Sequence, residues 1–419
     1  MWRGMLWIVL FWLADIACAQ PSLLLETNIS PPYQQVSGSR LTGESVETVR
    51  CVLNKLGHDF SIDVVPWKRA QSDLQNGRSD GYFSAIPQSH MDAVATLTVP
   101  IVLEKWFWFA KDADMLQQSG FPSGLKVGVL RGSNQEEWLQ SKGIRIAQSV
   151  NQLPSLLKLL EIGRIDTFLV DEHVLGSLIS IEGGRAWPSR FERYVPMGLY
   201  FSKRFLALNP DFIHQFNARI PSCAVSTLHL TSQEEAQIRA QVDQLVMPLL
   251  KSDSLLALLI KGNQLNSKLD MAAIHQADVK WMAASDEGRQ PAWIQTILGS
   301  PESQYLKKWQ DEQKGLFREI LLTDSRGLLV ASSEMTSDYY QGDEEKVIQP
   351  LQKAASGPTE QSYGWFDRGE GNYPTAFIDY DASTRHFLVH ISYLVRNNQH
   401  LLGVISLGID LEVALKSRL

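Results

Sequence analysis

The chain has 419 residues, of which 44% are hydrophobic and 20% charged, enough apolar surface for two or three packed units and too much for a disordered chain. A formal net charge of −7 and the lack of any Lys/Arg block exclude a surface built to neutralise a phosphate backbone, so no nucleic-acid partner is expected.

Residues 1–19 read as a signal peptide: Arg3, an apolar stretch from Met5 to Leu13, then the small-x-small site Ala17-Cys18-Ala19. The expectation is cleavage near Gln20 and export to the periplasm. A lipobox ending at Cys18 is the competing form, and Asp15 stands where such boxes carry an aliphatic residue. No later segment approaches the ~20 uninterrupted apolar residues of a membrane-spanning helix. Past the leader, Cys51 and Cys223 are left, which an oxidising compartment would join as one disulfide or which stay as two buried thiols. Neither Cys-x-x-Cys nor His-Glu-x-x-His occurs, and neither a metal nor a cofactor is expected.

From Pro21 the pattern runs strand (PSLLLETN), loop, helix (VETVRCVLNKLG), strand (HDFSIDVVPW). Val46, Val49, Val52, Leu53 and Leu56 recur at spacings of three and four, the buried stripe of an amphipathic helix. A helix KRAQSDLQNG and a strand SDGYFSAI follow, and the same alternation restarts at LKVGVLRGSNQEEWLQSKG. Strands alternating with helices of this length imply parallel sheets and two α/β lobes. Chain crossings between lobes are expected around Trp106 to Ala110 and again at VPMGLYFSK, with the helix SQEEAQIRAQVDQLVMPLLK closing back onto the first lobe.

After Lys251 the pattern changes to a long helix through Gly262-Asn263, a second helical region, and antiparallel hairpins at EILLTDSRGLLVASS and HFLVHISYLV…HLLGVISLGID. That is an α+β unit. The expected division is residues 20–250, with one lobe about 20–109 and 200–250 and the other about 110–199, followed by 251–419.

The motifs ETNISPPYQ, PWKRAQSDLQNGRSDGYFSAI, VGVLRGSN and GRIDTFLVDE, in that order from Pro21 to Lys251, resemble the family 3 bacterial extracellular solute-binding proteins of the amino-acid-binding type. The resemblance implies a type II periplasmic-binding fold, two hinged lobes with the ligand caught between them. EILLTDSRGLLVASSEMTSDYYQGDEEK with the terminal hairpin resembles the PDC/Cache-type extracellular sensor domains, implying antiparallel strands behind a long N-terminal helix.

Carried over by motif, the resemblance puts Tyr33 where an aromatic ring packs the ligand and Ser84 where a strand end meets a carboxylate. Ser133 and Asn134 open a helix whose free N–H groups favour an anionic group, Asp171 falls where an acid takes an ammonium, and Trp67 lines the cleft. In amino-acid binders the loop PQSHMDAVATLTVP carries an Arg that clamps the carboxylate; the matching position here is Met91. A thioether is no clamp, so the expectation is either a ligand without an α-carboxylate or a lobe pair that has kept its fold and changed its job, unless Arg69 or Arg131 supplies the charge. In the sensor-like unit Asp338, Tyr339, Tyr340, Tyr363, Trp365 and Asp379 are the candidate ligand contacts.

Each residue has a plainer reading. Tyr33 covers a sheet edge, Asp171 caps a helix, Gly132-Ser133-Asn134 make a turn, Met91 plugs a core, and the Trp106 to Phe109 alternation packs a strand. The segment TSDYYQGDE caps the helix beginning near Asp343. For function, the expectation is a non-enzymatic binding and sensor protein that reports to an inner-membrane permease or a membrane-bound signalling protein. An uptake component of an amino-acid ABC transporter and an exported cell-wall enzyme are the alternatives. No Gly-x-Ser-x-Gly elbow and no lysozyme-like glutamate before a Gly-rich turn supports the enzyme.

Overall fold

The computed structural model describes residues 22–176, 187–223, 225–355, 364–366, 375–381, 386–398 and 400–416; the expected signal peptide and Tyr363 lie outside them. The first sheet is built from β1 (Leu23–Thr27), β4 (Phe60–Val64), β5 (Gly81–Ala85), β6 (Ala95–Leu97), β7 (Val102–Ala110), β8 (Val127–Leu130), β9 (Ile146–Val150), β10 (Thr167–Asp171) and β11 (Ser189–Ser202). A small hairpin, β2 (Gln35–Ser37) with β3 (Arg40–Thr42), stands apart. The strand order is β4-β1-β5-β11-β7-β10-β8-β9, with β6 on β11.

β1 runs parallel to β4 and β5, and β8 parallel to β9 and β10, the pairing expected within each lobe. β7 and β11 are antiparallel to each other and join the two groups. All nine residues of β7 are buried, including both tryptophans and both phenylalanines. That strand needs its aromatic run because it is covered on two faces. The helix Glu44–Leu56 buries Val46, Val49, Val52 and Leu53 and stops at Gly57, whose φ of 71° is the left-handed conformation that ends helices.

The second sheet is antiparallel, built from β12 (Phe317–Asp324), β13 (Leu329–Ser332), β14 (Gly364–Phe366), β15 (Asp379–Asp381), β16 (His386–Asn397) and β17 (His400–Asp410) in the order β13-β12-β17-β16-β14, with β15 on β16. The long helix read after Lys251 is two helices, Asp253–Asn266 and Met271–Asp286. The break is not at Gly262-Asn263. A side chain at Gly262 would meet Val330 Cγ1 at 2.7 Å, so glycine there lets the helix lie against β13. Asn263 Nδ2 donates to Leu402 O at 2.7 Å. The chain breaks instead before Asp270, whose side chain accepts from Ala273 N and caps the next helix.

The helix Ser232–Leu250 also differs from expectation. Besides meeting β7 through Glu234 and Lys105, it packs on the second sheet: Arg239 donates to Gly364 O at 2.6 Å, and Tyr393 Oη donates to Asp243 at 2.5 Å. Its buried face, Ile238, Val242, Val246 and Leu249, belongs to a core shared by both units. Packing is therefore continuous through Lys251, where sequence composition suggested a boundary.

Cys51, on the helix Glu44–Leu56, and Cys223, 172 positions further along the chain, are joined in a disulfide with Cα atoms 5.7 Å apart. Closing so long a loop restricts the unfolded chain more than the folded one. Replacing both cysteines by serine is expected to lower the unfolding free energy by about 2–5 kcal/mol, read as a lower urea midpoint.

Candidate functional site

A cavity of ≈ 310 Å³ lies between the lobes. Its floor is β7 at Glu104 and β10 at Asp171; one wall is Ser84 and Trp67 from the first lobe, the other Ser133 and Asn134 from the second. The volume is of the size that holds a small ligand. Five of the sequence-predicted residues thus line one cleft: Trp67, Ser84, Ser133, Asn134 and Asp171.

Ser84 is placed there by backbone distortion. Leu199 pairs with Phe83 and Gly198 with Ala85, so Ser84 is an extra residue in β5, and its φ is 63°. Bulges re-aim side chains, and a left-handed non-glycine residue persists only where its surroundings hold it. Here the holders are Gln34 and Ser45: Ser84 Oγ donates to Ser45 Oγ at 2.8 Å, and Gln34 Nε2 contacts both hydroxyls. Gln34 is fully buried, lines the cleft, and its Oε1 has no partner.

Asp171 is not an open acid. Its Oδ1 accepts from Tyr33 Oη at 3.0 Å and from Val174 N at 2.9 Å, and its Oδ2 accepts from Lys105 N at 2.8 Å. Burial nevertheless pushes it up to about 6, against the lowering effect of those donors. Tyr33 is correspondingly no ligand platform. It is buried and spent on Asp171 and the carbonyl of Leu103, and does not line the cleft; burial, then Asp171, raise its hydroxyl well above the usual range. Together with His173 Nε2 to Glu44 Oε1 at 3.0 Å, the Tyr33 to Asp171 bond ties the lobes on one side of the cleft.

Met91 does not face the cleft either. It is fully buried in a small core with Ala70, Leu74, Tyr82 and Tyr200. The reason is local: Met91 opens a turn whose carbonyl accepts from Val94 N and Ala95 N, which swings the thioether under the helix Trp67–Gln75. The two arginines considered as substitutes are occupied elsewhere, Arg69 on Asp73 at 3.3 Å and Arg131 on Ser149 O at 3.0 Å.

Sequence reasoning missed Glu104. It sits in the cleft floor, 8% exposed, and its Oε2 accepts from Trp106 Nε1 at 2.6 Å. Burial, then the neighbouring Asp171, push it up to about 8. The signal was present: a Glu-Lys pair inside the run VLEKWFWFA places two charges in a strand with no room for idle ones. Alternation then sends Glu104 to the cleft and Lys105 to the opposite face, where it meets Glu234 Oε2 at 3.0 Å. That face borders a larger cavity of ≈ 700 Å³, lined by Leu103, Lys105, His173 and His229, which of the predicted residues takes in only Asp171.

Ser133 caps the helix Asn134–Ser141 by accepting from Glu136 N. Glu136 folds back so that its Oε2 accepts from Gly132 N at 2.6 Å, and this bond, with Ser149, lowers its carboxyl below the usual range. The Gly132 amide just before the helix is therefore taken by the chain's own carboxylate.

In the second unit the candidates are not gathered. Tyr339 is buried against Trp281 and Trp293, and the Tyr339 and Tyr340 amides both donate to Asp278 Oδ1 at 2.8 Å. Asp338 is held in the same loop by Ser337 and Gln341, and burial pushes it up to about 6. Trp365, under the Lys353 ammonium at 3.8 Å, and Asp379, exposed, belong to β14 and β15. β13 and β14 are opposite edges of the sheet, four strand spacings or roughly 19 Å apart. Among the described residues no group of three His, Cys, Asp or Glu side chains is arranged to hold a metal ion, and no helix is long and apolar enough to cross a membrane.

No family model and no curated protein matches the chain. Among solved structures it is similar to the second substrate-binding domain of a putative amino acid ABC transporter from Streptococcus pneumoniae, at 20% identity over 48% of this chain and 92% of that one, with a TM-score of 0.36. A histidine kinase sensor domain with similarity to periplasmic binding proteins gives 16% identity, 48% and 90% coverage and a TM-score of 0.39. The arginine-, lysine- and histidine-binding protein of Geobacillus stearothermophilus gives 13%, 48% and 87%, and 0.38. These neighbours are solute-binding and sensor domains, and each spans about half of the chain.

A buried acid held above its unfolded value binds its proton more tightly when folded, so its favourable contribution is complete at low pH and is lost as pH rises through about 8. Glu104→Gln, which keeps an acceptor for Trp106, is expected to match the wild type at pH 5 and to melt at least about 3 °C above it at pH 8.5. Differential scanning calorimetry at the two pH values checks this.

Proposed function

We propose that the chain is an exported, non-enzymatic solute-binding and sensor protein, which captures a small polar solute between two lobes and reports its capture to a membrane partner. The reading is carried by one observation: a cavity of ligand size whose walls come from different lobes and whose floor is the pair of strands joining them. The strained, hydrogen-bonded Ser84 on one wall is the kind of feature kept where a ligand is gripped.

In this proposal the C-terminal unit is a PDC/Cache-like sensor module, and its contacts favour signalling over uptake alone. It touches the crossing strand β11 through Tyr194 N, which donates to Glu412 Oε1 at 3.0 Å, and through Tyr194 against Phe387, and the helix Ser232–Leu250 packed on it meets Lys105 of β7 through Glu234. A module seated on a hinge responds to bending of that hinge. The partner is then a membrane-bound signalling protein, with an ABC permease as the uptake alternative.

Native mass spectrometry of the protein purified from its own periplasm is expected to show one small molecule per chain, released on unfolding. A chain that is bare, and stays bare after incubation with periplasmic extract, would contradict the proposal.

A further inference from the structure

Resting on the reading of the interlobe cleft as a solute site, we infer that its ligand is an organic cation, an amine or guanidine bearing no carboxylate. Among the described residues, those lining the cleft include two carboxyl groups, Glu104 and Asp171, and no lysine or arginine. Asp171 is satisfied by three donors of the chain itself, whereas Glu104 receives a single hydrogen bond, from Trp106, and has acceptor capacity left for a solute.

A second, independent feature points into the same space. Gln34 is wholly buried, and one atom of its amide has no protein partner although the residue lines the cleft. Whichever way the amide is turned, a buried polar atom is left for something in the cleft to meet. Trp67, half-buried on the first-lobe wall, adds an indole, the ring that attracts cations best.

None of the side chains considered for clamping a carboxylate lines the cleft. Met91 is in a core, Arg69 and Arg131 are engaged outside the cleft, and the amide of Gly132 at the helix start is held by Glu136. An amino acid entering this cleft would bring its carboxylate toward Glu104 and Asp171 without a counter-charge. A carboxylate placed there would meet no cation to offset its desolvation, which disfavours zwitterions and anions, and removing the carboxylate removes that cost.

The test compares solutes that differ only in that group: agmatine against arginine, and putrescine against ornithine, by isothermal titration calorimetry on the full-length mature protein, with glutamate and glucose as anionic and neutral probes. The expected result is binding of agmatine or putrescine at least tenfold tighter than of the matching amino acid. Glu104→Gln should weaken that amine at least tenfold while leaving the far-ultraviolet dichroism unchanged. Should Glu104→Gln fail to fold, Trp67→Leu takes its place, with a loss of at least threefold expected. Arginine or ornithine binding as tightly as its decarboxylated partner, or glutamate or glucose binding best, would overturn the amine inference while leaving a solute-binding clamshell standing. Failure of every probe overturns it too, and the clamshell reading is then decided separately by the co-purified solute.

Discussion

The structure depends on one strand that carries two adjacent charges through a buried aromatic interior. Glu104 and Lys105 sit in β7, all of whose residues are covered. Strand geometry sends neighbouring side chains to opposite faces, so the two cannot neutralise each other. Lys105 is answered by Glu234, itself held in a capping box by Thr231, and the pair is closely buried. Glu104 has only an indole N–H and lies beside a second acid. An uncompensated carboxyl in the interior is costly, and burial together with Asp171 keeps Glu104 protonated up to about 8.

The same strand pair links the cleft to the C-terminal unit. β7 reaches the helix Ser232–Leu250 through Lys105, and β11 reaches the terminal helix through the Tyr194 amide and Glu412. Main-chain bonds add to the seam: Leu230 N donates to Ala376 O, and Ile378 N to Leu228 O. One hydrophobic core runs across the seam. The two halves therefore share the elements that any opening of the cleft would have to bend.

Much of the architecture was legible because it rests on short-range patterns. The three-and-four spacing of Val46, Val49, Val52 and Leu53, the alternating strands, and the turn at Asp324 to Gly327 all report local periodicity and turn chemistry. The passage of the helix through Gly262 and the seat of the helix Ser232–Leu250 were not, since both are set by what lies across the interface: Val330 against Gly262, and Gly364 and Tyr393 against Arg239 and Asp243. At the cleft, residue type pointed to Trp67, Ser84, Ser133, Asn134 and Asp171. It misjudged Tyr33 and Met91, whose aromatic and thioether groups suit a pocket and a core equally well. Glu104 was announced by the charge pair within VLEKWFWFA, whereas Gln34 was not, because its one unmet amide atom is a matter of three-dimensional packing.

The most direct measurement is the distance between the lobes. Spin labels on Ser61→Cys in β4 and Ala147→Cys in β9, exposed positions on the two edge strands of the first sheet, report it by double electron–electron resonance with the native disulfide intact. The distance distribution should move to shorter values when protein stripped of solute is resaturated with the molecule that co-purifies with it. An identical distribution in both states would contradict a hinged capture mechanism.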